Sequence, residues 1–382
     1  MRKDHVRFLS FGTVVLFQII FASQVWAEGL LNLRKPDKPR FPITEIVWAS
    51  QPGDVSICLW ADDKLAAFSY GIDDNEAMDV PWWLEITKKY NIRITWHLIT
   101  GGITEKPHNL NGDWGLWKKV LAEGHAIESH SVTHLSMVGK AGWQGTEWEY
   151  SESKKQIEEH MPGWSVYCLC YPGGKGQETN DPDLAAKYYL AGRTTYPLPN
   201  PANELDYLKV NGNSGGYFRP LEEDPKQDWG NMNNVLNQAC KAYYRGWLVN
   251  FWHYVGGNED AKKRITDLFD WAHKHSDQLW FGLFRDVARY GQERDTANLV
   301  VNENTGAKIA FTLTDQMDDR YYDYPLTIKV RLPGNWKGVK AVQKKNELAV
   351  KIVEKGGGNF ALVNVVPDRG QVALTNSGAT IK

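Results

Sequence analysis

The chain has only four cysteines, Cys58, Cys168, Cys170 and Cys240, and none of their spacings resembles a zinc knuckle, which excludes a cysteine-built zinc module. Net charge is nearly absent, at -2 from 44 basic and 46 acidic residues, and this argues against nucleic acid as the main partner. Beyond the first 27 residues no apolar run is long enough to cross a bilayer, so the mature chain is expected to have no membrane span. There is no internal repeat and no low-complexity tract. Oligomeric state leaves no mark on the sequence.

Other features are plentiful. With 382 residues, 42% of them hydrophobic and 24% charged, the chain can bury a large core. It carries 17 Trp and 17 Tyr; flat aromatic faces suit sugar rings, although filling the core accounts for most of them. Cys168 and Cys170 lie two apart in Val-Tyr-Cys-Leu-Cys-Tyr, a strand pattern that sends both thiols to one face. Buried free thiols are expected, with one bridge to Cys58 left open.

Met1 to Arg7 is a basic start, 8–22 is apolar, and Val25-Trp-Ala27 offers small residues where a signal peptidase reads. Cleavage after Ala27 and a secreted or periplasmic protein are expected, a retained anchor being the alternative. Strand and helix patterns then alternate: strand 64–70, helix 81–90, strand 92–99, helix 114–123, strand 125–128, helix 146–160 and strand 165–171. Segments 181–189, 231–243, 247–252 and 260–273 extend the series. This order implies parallel strands covered by helices over 28–294, most economically a barrel of the TIM kind or a variant of it, and the family resemblance given below makes it an irregular (β/α) barrel. Segments 308–314, 326–332, 348–353 and 359–366 alternate in hydropathy between Pro-Gly, Gly-Gly-Gly and Asp-Arg-Gly turns, predicting a small antiparallel β-domain over 295–382. That tail could bind glycan or serve as a structural cap.

Three polar motifs follow predicted strands, on the face where barrel enzymes carry their chemistry. They are Asp73-Asp74 in Ser-Tyr-Gly-Ile-Asp-Asp-Asn, His130-Ser-Val-Thr-His134, and His253 in Asn-Phe-Trp-His-Tyr. Two imidazoles and one carboxylate can hold a divalent cation and leave a position open, with a second carboxylate and a third imidazole free for proton transfer. Taken singly, the acidic pair also fits a helix cap, His253 a core histidine, and the two other histidines a helix pair one turn apart. Their occurrence in one ordered frame favours the metal site.

That frame resembles the polysaccharide deacetylases of the NodB-homology group, carbohydrate esterase family 4. The resemblance rests on the Asp-Asp pair, on Gly124-His-Ala-Ile-Glu-Ser-His-Ser-Val-Thr-His134, on Cys170-Tyr-Pro-Gly-Gly174 and on the strand ending in His253, in that order. It covers roughly 64–285. The resemblance implies a barrel of the NodB type and hydrolysis of N- or O-acetyl groups on a glycan, using one divalent metal. Zinc is favoured there, while cobalt, nickel and manganese are also compatible with such ligands. It makes Asp74, His130 and His134 the metal ligands, Asp73 the general base and His253 the acid. The oxyanion and substrate positions fall on Tyr171, Pro172 and Gly174, with a backbone N–H at Tyr171.

Two departures stand out. The family's Asp-Asp-Gly is Asp-Asp-Asn75 here, and the arginine that precedes the third motif's proline is missing around Cys168 to Cys170. Arg193 is a candidate to supply that charge from another strand, and Asp228-Trp229 resembles a fourth motif. Trp114, Trp117, Trp143 and Trp148 are candidate walls of the substrate groove. Hydrolysis of another C–N amide bond on the same barrel, and a non-catalytic carbohydrate-binding protein, are the alternatives.

Overall fold

The computed structural model describes residues 43–104, 110–174, 181–214 and 232–378. The expected leader and the pair Asp228 and Trp229 lie outside the described residues. Among those described, no helix is long and apolar enough to cross a membrane.

The first strand among the described residues is β1 (Val55–Ile57). Strand β2 (Ala66–Ile72) is buried along its whole length, as a parallel strand covered on both sides must be. Helix α1 (Val80–Tyr90) has proline at its start and ends on Asn91 in the left-handed region at φ 53°, a residue type that tolerates this C-terminal turn. Its buried Val80, Trp83, Ile86, Thr87 and Tyr90 form one stripe at helical spacing. Then follow β3 (Thr95–Leu98), α2 (Trp114–Ala122), β4 (Ala126–Ser129), α3 (Thr146–His160), β5 (Cys168–Cys170), α4 (Pro182–Ala185) and β6 (Ala191–Arg193). The barrel series ends with β7 (Asn213–Ser214), β8 (Trp247–Trp252), α5 (Glu259–Lys274), β9 (Leu279–Phe281) and α6 (Phe284–Thr296).

The strands form one parallel sheet in the order β6-β5-β4-β3-β2-β8-β7, with β9 set against the start of β2. One edge of β2 is shared: Ala66 to Phe68 pair with β9, while Gly71 and Ile72 pair with β3. The sheet closes through 210–214. Val210 bridges Arg193 in parallel, and Asn213 and Ser214 pair with Asn250 and Phe251. This is the irregular (β/α) barrel expected from the sequence.

Segment 231–243 is not the single element its place in the series suggests. From residue 232 it is a short 3-10 turn over Met232–Val235, then turns. One local cause is visible: Asn237 Oδ1 accepts the Ala239 N–H at 3.0 Å, a side-chain bond to nearby backbone that competes with a helix, while Asn233 is drawn outward, its Oδ1 accepting the Trp271 indole N–H at 2.9 Å.

The tail consists of β10 (Asn298–Asn304), β11 (Lys308–Thr314), β12 (Leu326–Arg331), β13 (Val339–Gln343), β14 (Asn346–Leu348), β15 (Val350–Lys355), β16 (Gly358–Val365) and β17 (Val372–Asn376). They make two antiparallel sheets, β1-β12-β16-β15 and β10-β11-β17-β13-β14. The inclusion of β1, with Val55 opposite Val330 and Ile57 opposite Ile328, means that the tail is built from both sides of the barrel, which the division at residue 294 leaves out. A three-residue strand is too short to carry a readable period.

The tail and the barrel floor share one apolar cluster. It joins Ala67, Cys168, Ala191 and Trp247, all at the N-terminal ends of barrel strands, through Phe284, Val287, Ala288 and Tyr290 of α6 to Ile309, Phe311, Leu326 and Ile328. The tail therefore covers the end of the barrel opposite the polar motifs. Within α6, Glu293 is fully buried; its Oε1 accepts the Tyr324 N–H at 2.9 Å, while Oε2 has no partner. Burial pushes its carboxyl up to about 9. A carboxyl raised from 4.5 in the unfolded chain keeps its proton in the fold. Its stabilising contribution is then complete below pH 4.5 and is lost as pH rises towards 9. Glu293→Gln, which stays neutral, should flatten that loss and be more stable than the parent at pH 8 by about 2 kcal/mol. Chemical unfolding at pH 5 and pH 8 checks this, and equal pH dependence in both proteins would contradict it.

Candidate metal centre

Each polar motif sits where a parallel strand ends. Asp73 and Asp74 follow β2, His130 follows β4 and His253 follows β8, so the sheet itself gathers them at one mouth. The ligand atoms of Asp74, His130 and His134 all lie within 4.8 Å of one another. Asp74 Oδ1 is 3.3 Å from His130 Nε2 and 3.7 Å from His134 Nε2. His130 Nδ1 lies 2.8 Å from the Cys170 carbonyl oxygen, a geometry in which Nδ1–H donates and Nε2 keeps its lone pair. Asp74 Oδ1 is buried with no hydrogen-bond donor. Lone pairs converging on one point with no donor among them fit a divalent cation, and the ligand types suit zinc and its transition-metal neighbours.

His130 and His134 are not a helix pair. Ser131, His134 and Leu135 are in the left-handed region at φ 69°, 55° and 55°, and Glu149 on α3 holds this loop. Its carboxylate accepts the Val132 and Thr133 N–H groups at 2.9 and 2.8 Å and also the Thr133 hydroxyl. Glu149 lies in a helix so rich in charge that its sequence reads as a solvated face, yet it is fully buried. Glu149→Gln would place an amide N–H against donors. It should loosen the loop and weaken zinc binding by about tenfold, measurable by chelator competition; unchanged affinity would contradict this role.

Asn75 explains one departure from the family pattern. Its φ of 66° is where glycine would sit most easily. The side chain, however, ties two loops to the acidic pair: Oδ1 accepts the Ile99 N–H at 2.7 Å, and Nδ2 donates to the Ile99 and Asn111 carbonyls at 3.0 and 3.2 Å.

Asp73 lies deeper, almost fully buried. His97 Nδ1 is 3.0 Å from Oδ1, and Arg193 Nη2 donates to Oδ2. Burial alone would raise the carboxyl, but the Arg193 guanidinium and the His97 hydrogen bond outweigh it and hold Asp73 well below the usual carboxylate range. Arg193, from β6, stacks 3.8 Å from the Phe251 ring centre and places its charge beside Asp73. Asp73, His97 and Cys170 also have ligand atoms within 4.8 Å of one another. There the Arg193 guanidinium already contacts Asp73 and the Cys170 sulfur, and a second cation beside it would be repelled.

The side chain of His253 is half-exposed, with Nε2 3.7 Å from Asp74 Oδ2 and 3.9 Å from Asp73 Oδ2. Its loop is pinned by Asp79, whose carboxylate accepts the Val255 and Gly256 N–H groups at 2.6 and 2.9 Å. At the rim, half-buried Glu76 is pushed up to about 7 by burial and then by Asp79 and Asp74.

Other expected site residues fall differently. The Tyr171 N–H donates to the Arg193 carbonyl at 3.0 Å in the barrel ladder, and the Gly174 N–H donates to the Tyr171 carbonyl at 2.9 Å. Pro172 has no N–H, so the amide left open at this turn is that of exposed Gly173. The Tyr171 ring is buried and its hydroxyl donates to the Leu208 carbonyl at 2.9 Å. Trp114 and Trp117 are core residues rather than groove walls: Trp117 packs on Trp96 and Trp114 stacks on His160 at 4.1 Å. Spacing on α2 cannot separate these two fates. Trp143 and Trp148 are half-buried after the His134 loop. All four cysteines are free thiols, Cys58, Cys168 and Cys170 buried and Cys240 half-buried. His97 and Glu149 were not singled out by the sequence.

A family model described as polysaccharide deacetylase matches residues 64–189. A gellan lyase of a Bacillus species is 34% identical over 356 residues, 87% of this chain and 14% of that protein. The putative polysaccharide deacetylase YxkH of Bacillus subtilis strain 168 is 28% identical over 152 residues, 38% of this chain and 51% of that protein. Among solved structures, the Streptococcus pyogenes deacetylase PplD in complex with acetate aligns at 25% identity and a TM-score of 0.32, over 37% of this chain and 61% of that one. The chain thus spans less than two thirds of each of these proteins.

Proposed function

Residues 64–189 belong to the polysaccharide deacetylase family, and on that premise we propose that the protein is a metal-dependent hydrolase that removes N- or O-acetyl groups from a polysaccharide or oligosaccharide. The observation that carries this reading is the convergence of Asp74, His130 and His134 lone pairs beside an ionised Asp73 and a solvent-facing His253. Domain-wise, the barrel carries the chemistry, the tail is a cap, and residues 1–27 direct export.

A divalent cation held by Asp74, His130 and His134, zinc in the first instance, would supply Lewis acidity towards an acetyl carbonyl and towards water. Asp73 accepts a proton from the attacking water. Its low basicity means that it stays ionised throughout the working pH range and takes the proton only as the new bond forms. Arg193 balances its charge. His253, reached by solvent and close to both aspartates, delivers a proton to the departing amine or alcohol. The open Gly173 amide is the backbone donor for the oxyanion, in place of the Tyr171 amide.

The gellan lyase match runs over most of this chain, which supports a gellan-like polysaccharide as the first polymer to test. Acetate release from N-acetylated and O-acetylated glycans, that polymer included, tests the reading. Release from one linkage class supports it and names the bond. A protein that holds a full equivalent of zinc and releases nothing across the panel would overturn it.

A further inference from the structure

We propose that His97 is a positioning residue for Asp73: it grips Oδ1 while Arg193 grips Oδ2, and this two-point hold fixes the carboxylate's rotation. The proposal rests on the deacetylase reading for its kinetic consequence, though not for its geometry.

The main chain at Asp73 is anchored by its N–H, which donates to the Trp252 carbonyl at 3.0 Å. That bond sets the position of the Cα and leaves the side-chain torsions free. The Oδ1 bond at 3.0 Å comes from His97, on β3, and the Oδ2 bond from Arg193, on β6. Strands on either side of the barrel thus clamp one carboxylate between two donors.

The surroundings of His97 are shaped for this. Its ring is almost fully buried and meets Phe284 edge to face at 6.3 Å. On the other side lies Gly71, where a Cβ would come within 3.0 Å of the ring's Cε1. Nε2 is buried with no partner, so one ring nitrogen goes unsatisfied in order to place the other. Burial lowers the imidazole to about 4, hence it is neutral, and beside an ionised Asp73 the Nδ1–H tautomer is the one that donates. Such an orphaned buried nitrogen is costly, and the Asp73 contact is the one polar bond the ring makes.

Arg193 also predicts what happens when His97 is removed. Its Nε is buried without a partner. With Oδ1 released, the carboxylate can rotate to take Nε and Nη2 together, the bidentate geometry arginine favours. That rotation turns the base away from the water it must deprotonate.

The test compares His97→Leu, which removes the donor, with His97→Asn, whose Nδ2–H lies where Nδ1–H was. On a substrate that the parent protein deacetylates, His97→Leu should lose about 10–100-fold in kcat with KM and zinc stoichiometry little changed. His97→Asn should recover most of that loss. Unaltered kcat in His97→Leu, or equal impairment in both variants, would overturn the proposal. Should His97→Leu not fold, His97→Gln takes its place, since its amide N–H reaches past the Nδ1 position. If the parent releases no acetate, the functional reading fails by itself, and crystal structures decide the positioning claim. An Asp73 carboxylate rotated onto Arg193 Nε in His97→Leu supports it, and one left in place overturns it.

Discussion

Asp73→Asn is expected to reduce acetate release by about 10²–10⁴-fold while the affinity for added zinc is kept. The two halves of this result have separate causes. Asp73 lies outside the group that converges on the cation position, which is made by Asp74, His130 and His134, so the amide does not touch a ligand. It does remove the one fully ionised group that can accept a proton beside that position. The same substitution strips Arg193, which is fully buried, of its counter-charge. Leaving a buried charge unpaired costs about 3–5 kcal/mol, so a lowered unfolding midpoint should accompany the lost activity. A variant that keeps zinc, is destabilised and still turns over at the parent's rate would show that Asp73 is structural and not the base.

Removal of residues 295–382 should abolish cooperative folding and with it every activity, although the tail lies at the far end of the barrel from the candidate metal centre. Ile309, Phe311, Leu326, Ile328 and Val330 are fully buried in a cluster shared with Phe284, Val287, Ala288 and Tyr290. Each such large apolar side chain is worth about 1.5–3 kcal/mol of burial. Whole-domain stability is only about 5–15 kcal/mol, so uncovering this face exceeds what the barrel can lose. The truncated chain would also expose Arg294, now fully buried and donating to the Leu59 and Ala202 carbonyls at 2.7 Å each. Calorimetry of the truncated protein decides the matter. A broad or absent transition with dye-binding apolar surface is expected, whereas a sharp transition with retained acetate release would make the tail a separable module.

What the sequence disclosed depended on how strongly each segment is patterned. Strand 247–252 and helix 146–160 read with the bounds they have in the structure, because an apolar run broken only by Asn250 and a long charged helix each have few competitors. Asp74, His130 and His134 were legible as a set because metal chemistry demands those residue types and each follows a strand. His97 was not, since a histidine inside an apolar strand reads as core, and only the third dimension shows Asp73 beside it. Glu149 was hidden in the same way by the charges around it. Arg193 was legible only as a need: a missing arginine left a charge to be supplied, and the strand neighbouring β5 supplies it. That the Tyr171 amide is used in the ladder, donating to the Arg193 carbonyl, was not legible, because sequence cannot tell an amide used in a ladder from one left open at the turn beyond it. Strand β1 is only three residues long and pairs with a strand some 270 positions later, a partner that no local pattern announces.

The most direct test of the account is acetate release followed through removal and return of the metal in one preparation. The protein is stripped with a chelator, assayed on the acetylated glycan it cleaves best, and titrated with zinc. Release is expected to disappear on stripping and to return in proportion to zinc up to one equivalent. Release that persists in the stripped protein would contradict the metal centre at Asp74, His130 and His134.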